Sequence, residues 1–298
     1  MWMNPIVKKD VKIQARSMRI SWGVFAYVGI MALVYFIAML IIQEESIYNF
    51  DNIYSRIVGL YPVLAITQIA LLGLIVPVRT ASAISGEKDR QTFDIMMTTA
   101  MTPFSVVFGK TISAVLTGMF YVVAGMPVMA LSFVIGGMSW SYLLWFVLIT
   151  LLVSFFASSV GIFCSSVCKK TISAVILTYA IYGFFFCVTA LPSLFAGIMR
   201  ATFTSSMSWF YLINPIVYLS EFFVWAMSGN SMVGELFDVG QGTAAWMTTD
   251  AMHYVWMTVS TILFVAISFL FLVIAAKRIN PLSKRGAKKA AKKIDRMG

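Results

Sequence analysis

The run Ser85-Gly86-Glu87-Lys88-Asp89-Arg90-Gln91-Thr92-Phe93-Asp94-Ile95-Met96-Met97 carries the densest mixture of charge in an otherwise apolar chain. Lying between two long apolar stretches, it suits a docking handle for a cytosolic partner. On a helical projection Phe93, Met96, Met97 and Ala100 share one face, and Glu87, Gln91, Asp94 and Thr98 another. The spacing predicts a short amphipathic helix of its own, capped by Ser85. Glu87 and Asp89 would then lie in its first turn, where the helix dipole favours negative charge. Thr102-Pro103 is a second start signal, opening the span that follows. A helix resting on the membrane surface is the competing reading, but anionic headgroups would repel its three acids.

Other candidate chemistry fails on spacing. Gly109-Lys110-Thr111 looks like the end of a phosphate-binding loop, which requires a glycine five residues before Gly109; Phe104 stands there instead. Cys164 and Cys168 are one helical turn apart and Cys187 lies further on. A zinc site would need more Cys or His close by, so packing is the expected role and no metal is expected. The single histidine, His253, has no evident partner in sequence and is expected to anchor the last span at the interface. Glu44-Glu45 has no His or Arg at helical spacing. Ion-coupled transport usually places acids or bases inside spans, and none is central here. No catalytic residue is expected.

These residues must be held by membrane helices. The chain is 60% hydrophobic and only 11% charged over 298 residues, whereas a soluble domain carries about 25% charged residues. Six apolar stretches reach the roughly 20 residues a bilayer crossing needs: 22–42, 61–78, 103–135, 140–168, 171–191 and 254–276. Gly136-Gly137-Met138-Ser139 divides the long uncharged run between the third and fourth. Six crossings put both termini on one side. With the termini inside, all of the 22 Lys and Arg except Arg56 and Arg200 are cytoplasmic, a strong positive-inside pattern. That placement, rather than the net charge of +10, argues against nucleic acid as a partner. The first stretch is longer than a signal-peptide core and lacks a small-x-small cleavage site, so it is expected to remain as a span.

Residues 1–21 read as an interfacial helix: Lys8, Lys12, Arg16 and Arg19 share one arc, Val7, Val11, Met18 and Trp22 another. A solvated basic leader would show the same charges. In the second span Thr67 and Gln68 are the polar interior positions, suited to interhelical hydrogen bonds or to a substrate path. Ala157, Gly161 and Ser165, four apart in the fourth span, permit close helix approach. After the fifth span Leu191-Pro192 is expected to break the helix. The uncharged, aromatic stretch beyond it, restarted by Asn214-Pro215, fits a re-entrant or interfacial hairpin within an outer segment, 192–253, buried against protein. The basic tail, 277–298, suits anionic lipid. The expected fold is an all-α integral membrane protein, a single transmembrane domain over 1–298 with its six-span bundle at 22–276.

This pattern resembles the permease subunit of an ATP-binding-cassette transporter of the type-2 exporter class. The resemblance covers the whole length and is sharpest over Ile84 to Thr99, followed by Pro103 and Gly109-Lys110. Gln91 stands where the family commonly has glycine. The resemblance implies that this chain supplies the pathway while separate cytosolic ATPase subunits bind ATP and Mg, no cofactor being held by the chain itself. It implies a coupling helix made of Glu87, Lys88, Asp89, Arg90, Thr92, Phe93, Asp94, Met96 and Met97. Of these, Phe93, Met96 and Met97 would enter a groove on the ATPase, and Glu87, Arg90 and Asp94 would make polar contacts that set partner choice. It further implies a second permease unit, the same chain or a relative, with the conduit between second and fifth spans in a bacterial cell membrane.

Thr67, Gln68, Tyr179 and Tyr182, beside Phe184-Phe185-Phe186, are the candidate lining of that conduit. Their character favours a lipid-like, peptide or amphiphilic drug substrate, although lipid-facing aromatics have the same composition. The competing functions are an ATPase-independent channel or secondary carrier, which would show flux as the purified chain alone, and a membrane scaffold or intramembrane enzyme, whose activity would survive loss of any ATPase.

Overall fold

The computed structural model describes residues 7–8, 10, 12–13, 16–48, 59–93, 102–136, 140–199, 209–229, 231, 233 and 249–279. Among the described residues, the longer α-helices follow in the order α1 (Met18–Tyr48), α2 (Leu60–Asp89), α3 (Pro103–Gly136), α4 (Trp140–Val167), α5 (Thr171–Met199), α6 (Pro215–Ser228) and α7 (Thr249–Ile279). A 3-10 turn, Trp209–Ile213, precedes α6, and no strand occurs among the described residues. α1, α2, α3, α4 and α7 are each long and apolar enough to cross a membrane. Thr171–Phe185 of α5 is a shorter apolar segment among the described residues, and its backbone helix continues to Met199. The expected break at Leu191-Pro192 is therefore absent. A proline inside a membrane helix frees one carbonyl, which neighbouring groups can satisfy, so the helix need not end there.

Before α1, Val7, Lys8, Asp10, Lys12 and Ile13 are helical, with Val7 buried and both lysines exposed. Ile13 is exposed as well.

α2 and α4 are joined where the sequence placed small residues. Gly161 of α4 lies against Thr80 and Ala81 of α2 so tightly that a Cβ there would overlap the Thr80 side chain. One turn on, the Ser165 hydroxyl accepts the backbone N–H groups of Ile84 and Ser85, both at 2.8 Å. Without a hydrophobic drive between helices in lipid, such close backbone approach supplies the packing and hydrogen-bond energy.

The main core runs along the bundle from Val160 and Cys164 of α4 to Tyr61, Phe146, Phe222 and Phe223. α6 belongs to that core: Tyr61 meets Phe223 edge-on at 5.6 Å, Tyr218 meets Phe264 at 5.6 Å, and the Tyr218 and Thr261 hydroxyls are 2.9 Å apart. Asn214 caps α6 by accepting the Ile216 N–H at 2.8 Å, with Pro215 at its first position. The restart at Asn214-Pro215 and its burial against protein thus match the sequence. A second cluster, Ile84, Val107, Ile162, Leu272, Ala275 and Ile279, lies beside the charged turn, with Phe93 packed against it.

Candidate functional site: the turn after the second helix

The charged segment is not a separate helix with Ser85 as its cap. α2 runs unbroken through Ser85, which is fully buried and donates its hydroxyl to the Ala81 carbonyl at 2.6 Å. Glu87 and Asp89 consequently lie in the last turn of α2 rather than the first turn of another element. Ser85 does not act as a cap because it lies inside α2, and its hydroxyl donates to a carbonyl of the preceding turn instead of accepting an N–H of a following one.

What ends α2 is a Schellman-type turn. The Thr92 N–H bonds the Glu87 carbonyl at 3.0 Å, and the Gln91 N–H bonds the Lys88 carbonyl at 3.2 Å. The residue between the two bonded ends, Gln91, has φ 58°, the left-handed region that glycine enters without strain. The glycine common at this place in the resembling family has its physical explanation in that dihedral. Thr92 adds its hydroxyl to the Glu87 carbonyl at 3.3 Å.

The turn sorts its side chains in two directions. Asp89, Arg90, Gln91 and Thr92 are exposed. Asp89, Arg90 and Thr92 border a cleft of about 580 Å³ whose other walls are Ser82, Gly86, Glu87 and Thr171. Glu87 also points back to Lys110 of α3, 2.6 Å away, and Lys110 donates in addition to the Ala83 carbonyl at 2.6 Å. Lys88 crosses to the end of α4, reaching the carbonyls of Ser166 at 2.5 Å, Cys168 at 3.3 Å and Ser165 at 3.4 Å. Phe93 lies partly buried beside the second apolar cluster, its ring 5.6 Å from the Lys88 ammonium. Asp94, Met96 and Met97 lie outside the described residues.

The four candidate pathway residues do not converge on one surface. Thr67 is half-buried and returns its hydroxyl to the Val63 carbonyl of its own helix at 2.8 Å. Gln68 is buried and faces α1 and α3: its Oε1 would lie 3.5 Å, and the Tyr27 hydroxyl 3.2 Å, from a Cβ on Gly125. Tyr179 of α5 donates to the Leu74 carbonyl of α2 at 2.7 Å, so it does join the second and fifth helices. Tyr182 packs edge-on to Phe156 of α4.

One constellation escaped the sequence. Glu221 of α6 is fully buried and accepts from the Ser231 hydroxyl at 2.7 Å, the Val233 N–H at 2.9 Å and His253 Nδ1 at 2.8 Å. His253 does not simply mark the interface; Trp225 stacks on its ring at 4.2 Å. Burial alone would push the Glu221 carboxyl up, but the bonds from His253, Ser231 and Val233 outweigh it and hold it below its ordinary value. The missed signal was a lone acid in an apolar helix, since a buried charge requires a partner somewhere.

Among the described residues no three of His, Cys, Asp and Glu form a metal-sized cluster. Cys164 is buried and Cys168 half-buried, both as free thiols. No curated protein matches the chain. Residues 42–277 match the family model described as ABC-2 family transporter protein, and the chain belongs to that family as an ABC-2-type permease subunit.

Proposed function

We propose that this chain is the membrane half of an ATP-driven exporter, with six crossings, both termini in the cytoplasm, and a separate ATPase docked on the turn that closes α2. One observation carries the reading: the turn presents Asp89, Arg90, Gln91 and Thr92 outward while Glu87 and Lys88 are tied inward. An element exposed on one side and braced on the other suits a surface that receives force. In this proposal Asp89, Arg90 and Thr92 make the polar docking contacts. Phe93 and the stretch from Asp94 to Met97 complete the surface. ATP and Mg belong to the partner, and no catalytic step is assigned to this chain.

A second permease unit, identical or related, pairs with this one, and the conduit runs between α2 and α5. Apolar side chains exposed on both helices, Ile66 and Leu74 on α2 and Ile172, Ile176 and Phe184 on α5, support that placement. They favour a lipid-like, peptide or amphiphilic drug cargo over a small ion.

The test is purification from native membranes in mild detergent, with mass spectrometry of what accompanies the chain. A nucleotide-binding subunit is expected with wild type, and reversal of both exposed charges, Asp89→Lys with Arg90→Glu, is expected to lose it. If the variant retained the subunit, or wild type brought none, the reading would be wrong.

A further inference from the structure

Glu87 and Lys88 both leave their own turn: Glu87 pairs with Lys110 of α3, and Lys88 reaches the end of α4. Its ammonium collects three carbonyls at the end of α4, those of Ser165, Ser166 and Cys168. Helix ends leave their last carbonyls without intrahelical partners and carry partial negative charge, so a cation on another helix is held there by both hydrogen bonds and the dipole.

The connection is reciprocal. The side chain of Ser165 on α4 takes two backbone N–H groups of α2, at Ile84 and Ser85. The side chain of Lys88 on α2 takes the backbone of α4. Two crossed bonds of this type, with Gly161 seated against Thr80 one turn above, prevent α2 and α4 from sliding past each other.

Beyond Cys168 the chain turns at once into α5. The Thr171 hydroxyl that opens α5 lies 3.8 Å from where a Cβ on Gly86 would be. On the other side of Lys88 the Phe93 ring rests 5.6 Å from the ammonium. A continuous set of contacts therefore runs from the exposed turn through Phe93 and Lys88 to the α4 carbonyls and the start of α5.

From this geometry we infer that Lys88 is a positioning residue: it is the strut by which displacement of the docking turn reaches the α4–α5 corner, and it is not itself a docking contact. The inference rests on the proposed function, because it needs an ATPase to move the turn. An arginine at 88 can still bridge several carbonyls; a methionine of similar length cannot.

The experiment is hydrogen exchange, read by mass spectrometry, on the full chain purified with its associated ATPase, with and without a non-hydrolysable ATP analogue. In wild type the nucleotide is expected to alter exchange both in peptides of the docking turn, 87–93, and in peptides of the corner, 168–175. In Lys88→Met the ATPase is expected to remain bound and the turn to keep its response, while the corner loses it. Lys88→Arg is expected to restore the corner's response. If Lys88→Met is not monodisperse, Lys88→Gln replaces it.

A variant that keeps both responses would reduce Lys88 to a helix cap and overturn the inference. One that loses the ATPase would make it a docking residue, which also overturns it. Absence of any ATPase from the wild-type preparation is a separate outcome, and it removes the proposed function together with the strut.

Discussion

Glu221 and His253 stand 32 residues apart in sequence and 2.8 Å apart in space, the carboxylate wholly shielded from solvent. With Ser231 and Val233 they tie α6, the chain just beyond it, and the start of α7 into one knot. Removing one partner leaves the others buried and unsatisfied. Glu221→Ala is therefore expected to cost about 3–5 kcal/mol, read as a lower unfolding midpoint in detergent, and Glu221→Gln less, because its carbonyl still accepts.

The same carboxylate carries a pH dependence. Its pKa in the folded protein lies below the ordinary value, so its contribution is complete above the unfolded carboxylate pKa, about 4.3, and is lost as pH falls through the folded value. Wild type should lose stability on acidification through that range, and Glu221→Gln should show a flatter curve. Matched thermal melts at stepped pH decide it; parallel curves for the two proteins would contradict the assignment.

Gln91 occupies a left-handed conformation that an L side chain enters at a cost of about 1 kcal/mol or somewhat more. Gln91→Gly should raise the unfolding midpoint, whereas the β-branched Gln91→Val should lower it. If the two variants moved the midpoint in the same direction, the turn would not be the one described.

Gly161 admits no side chain while Thr80 faces it. Gly161→Ala should destabilise by about 1–3 kcal/mol through overpacking, and adding Thr80→Ala should return part of the loss. A double-mutant cycle measures the coupling between the two positions; strict additivity would place them out of contact.

Lys110 neutralises Glu87 in a partly buried pair, with side-chain exposures of 9% and 32%. Lys110→Met should cost about 1–3 kcal/mol, the smaller end reflecting the partial exposure of Glu87. Combining it with Glu87→Gln should recover some of that, as the uncompensated charge disappears. Denaturation midpoints of the three proteins test the order.

The membrane character of this chain, its long helices, the small-residue seam at Gly161 and Ser165, and the restart at Asn214-Pro215 were all legible in the sequence. Each follows from composition, local periodicity or capping chemistry, which involve neighbours within a few residues. The same local rules failed at Ser85. A good cap residue proved to be an interior one, because α2 continues through it, packed against a serine of α4 that is 80 residues away in sequence. They also failed at Pro192, where the backbone helix runs on. Gln91 lay between the two cases: its place in a resembling motif was visible, but the positive dihedral became visible only in the folded turn. Which way Glu87, Lys88 and Glu221 point, and that His253 has an acid to meet, depended on helices brought together from distant parts of the chain. A charge in an apolar setting must find a partner, but nothing in its immediate neighbours specifies which; only the packing of the bundle does.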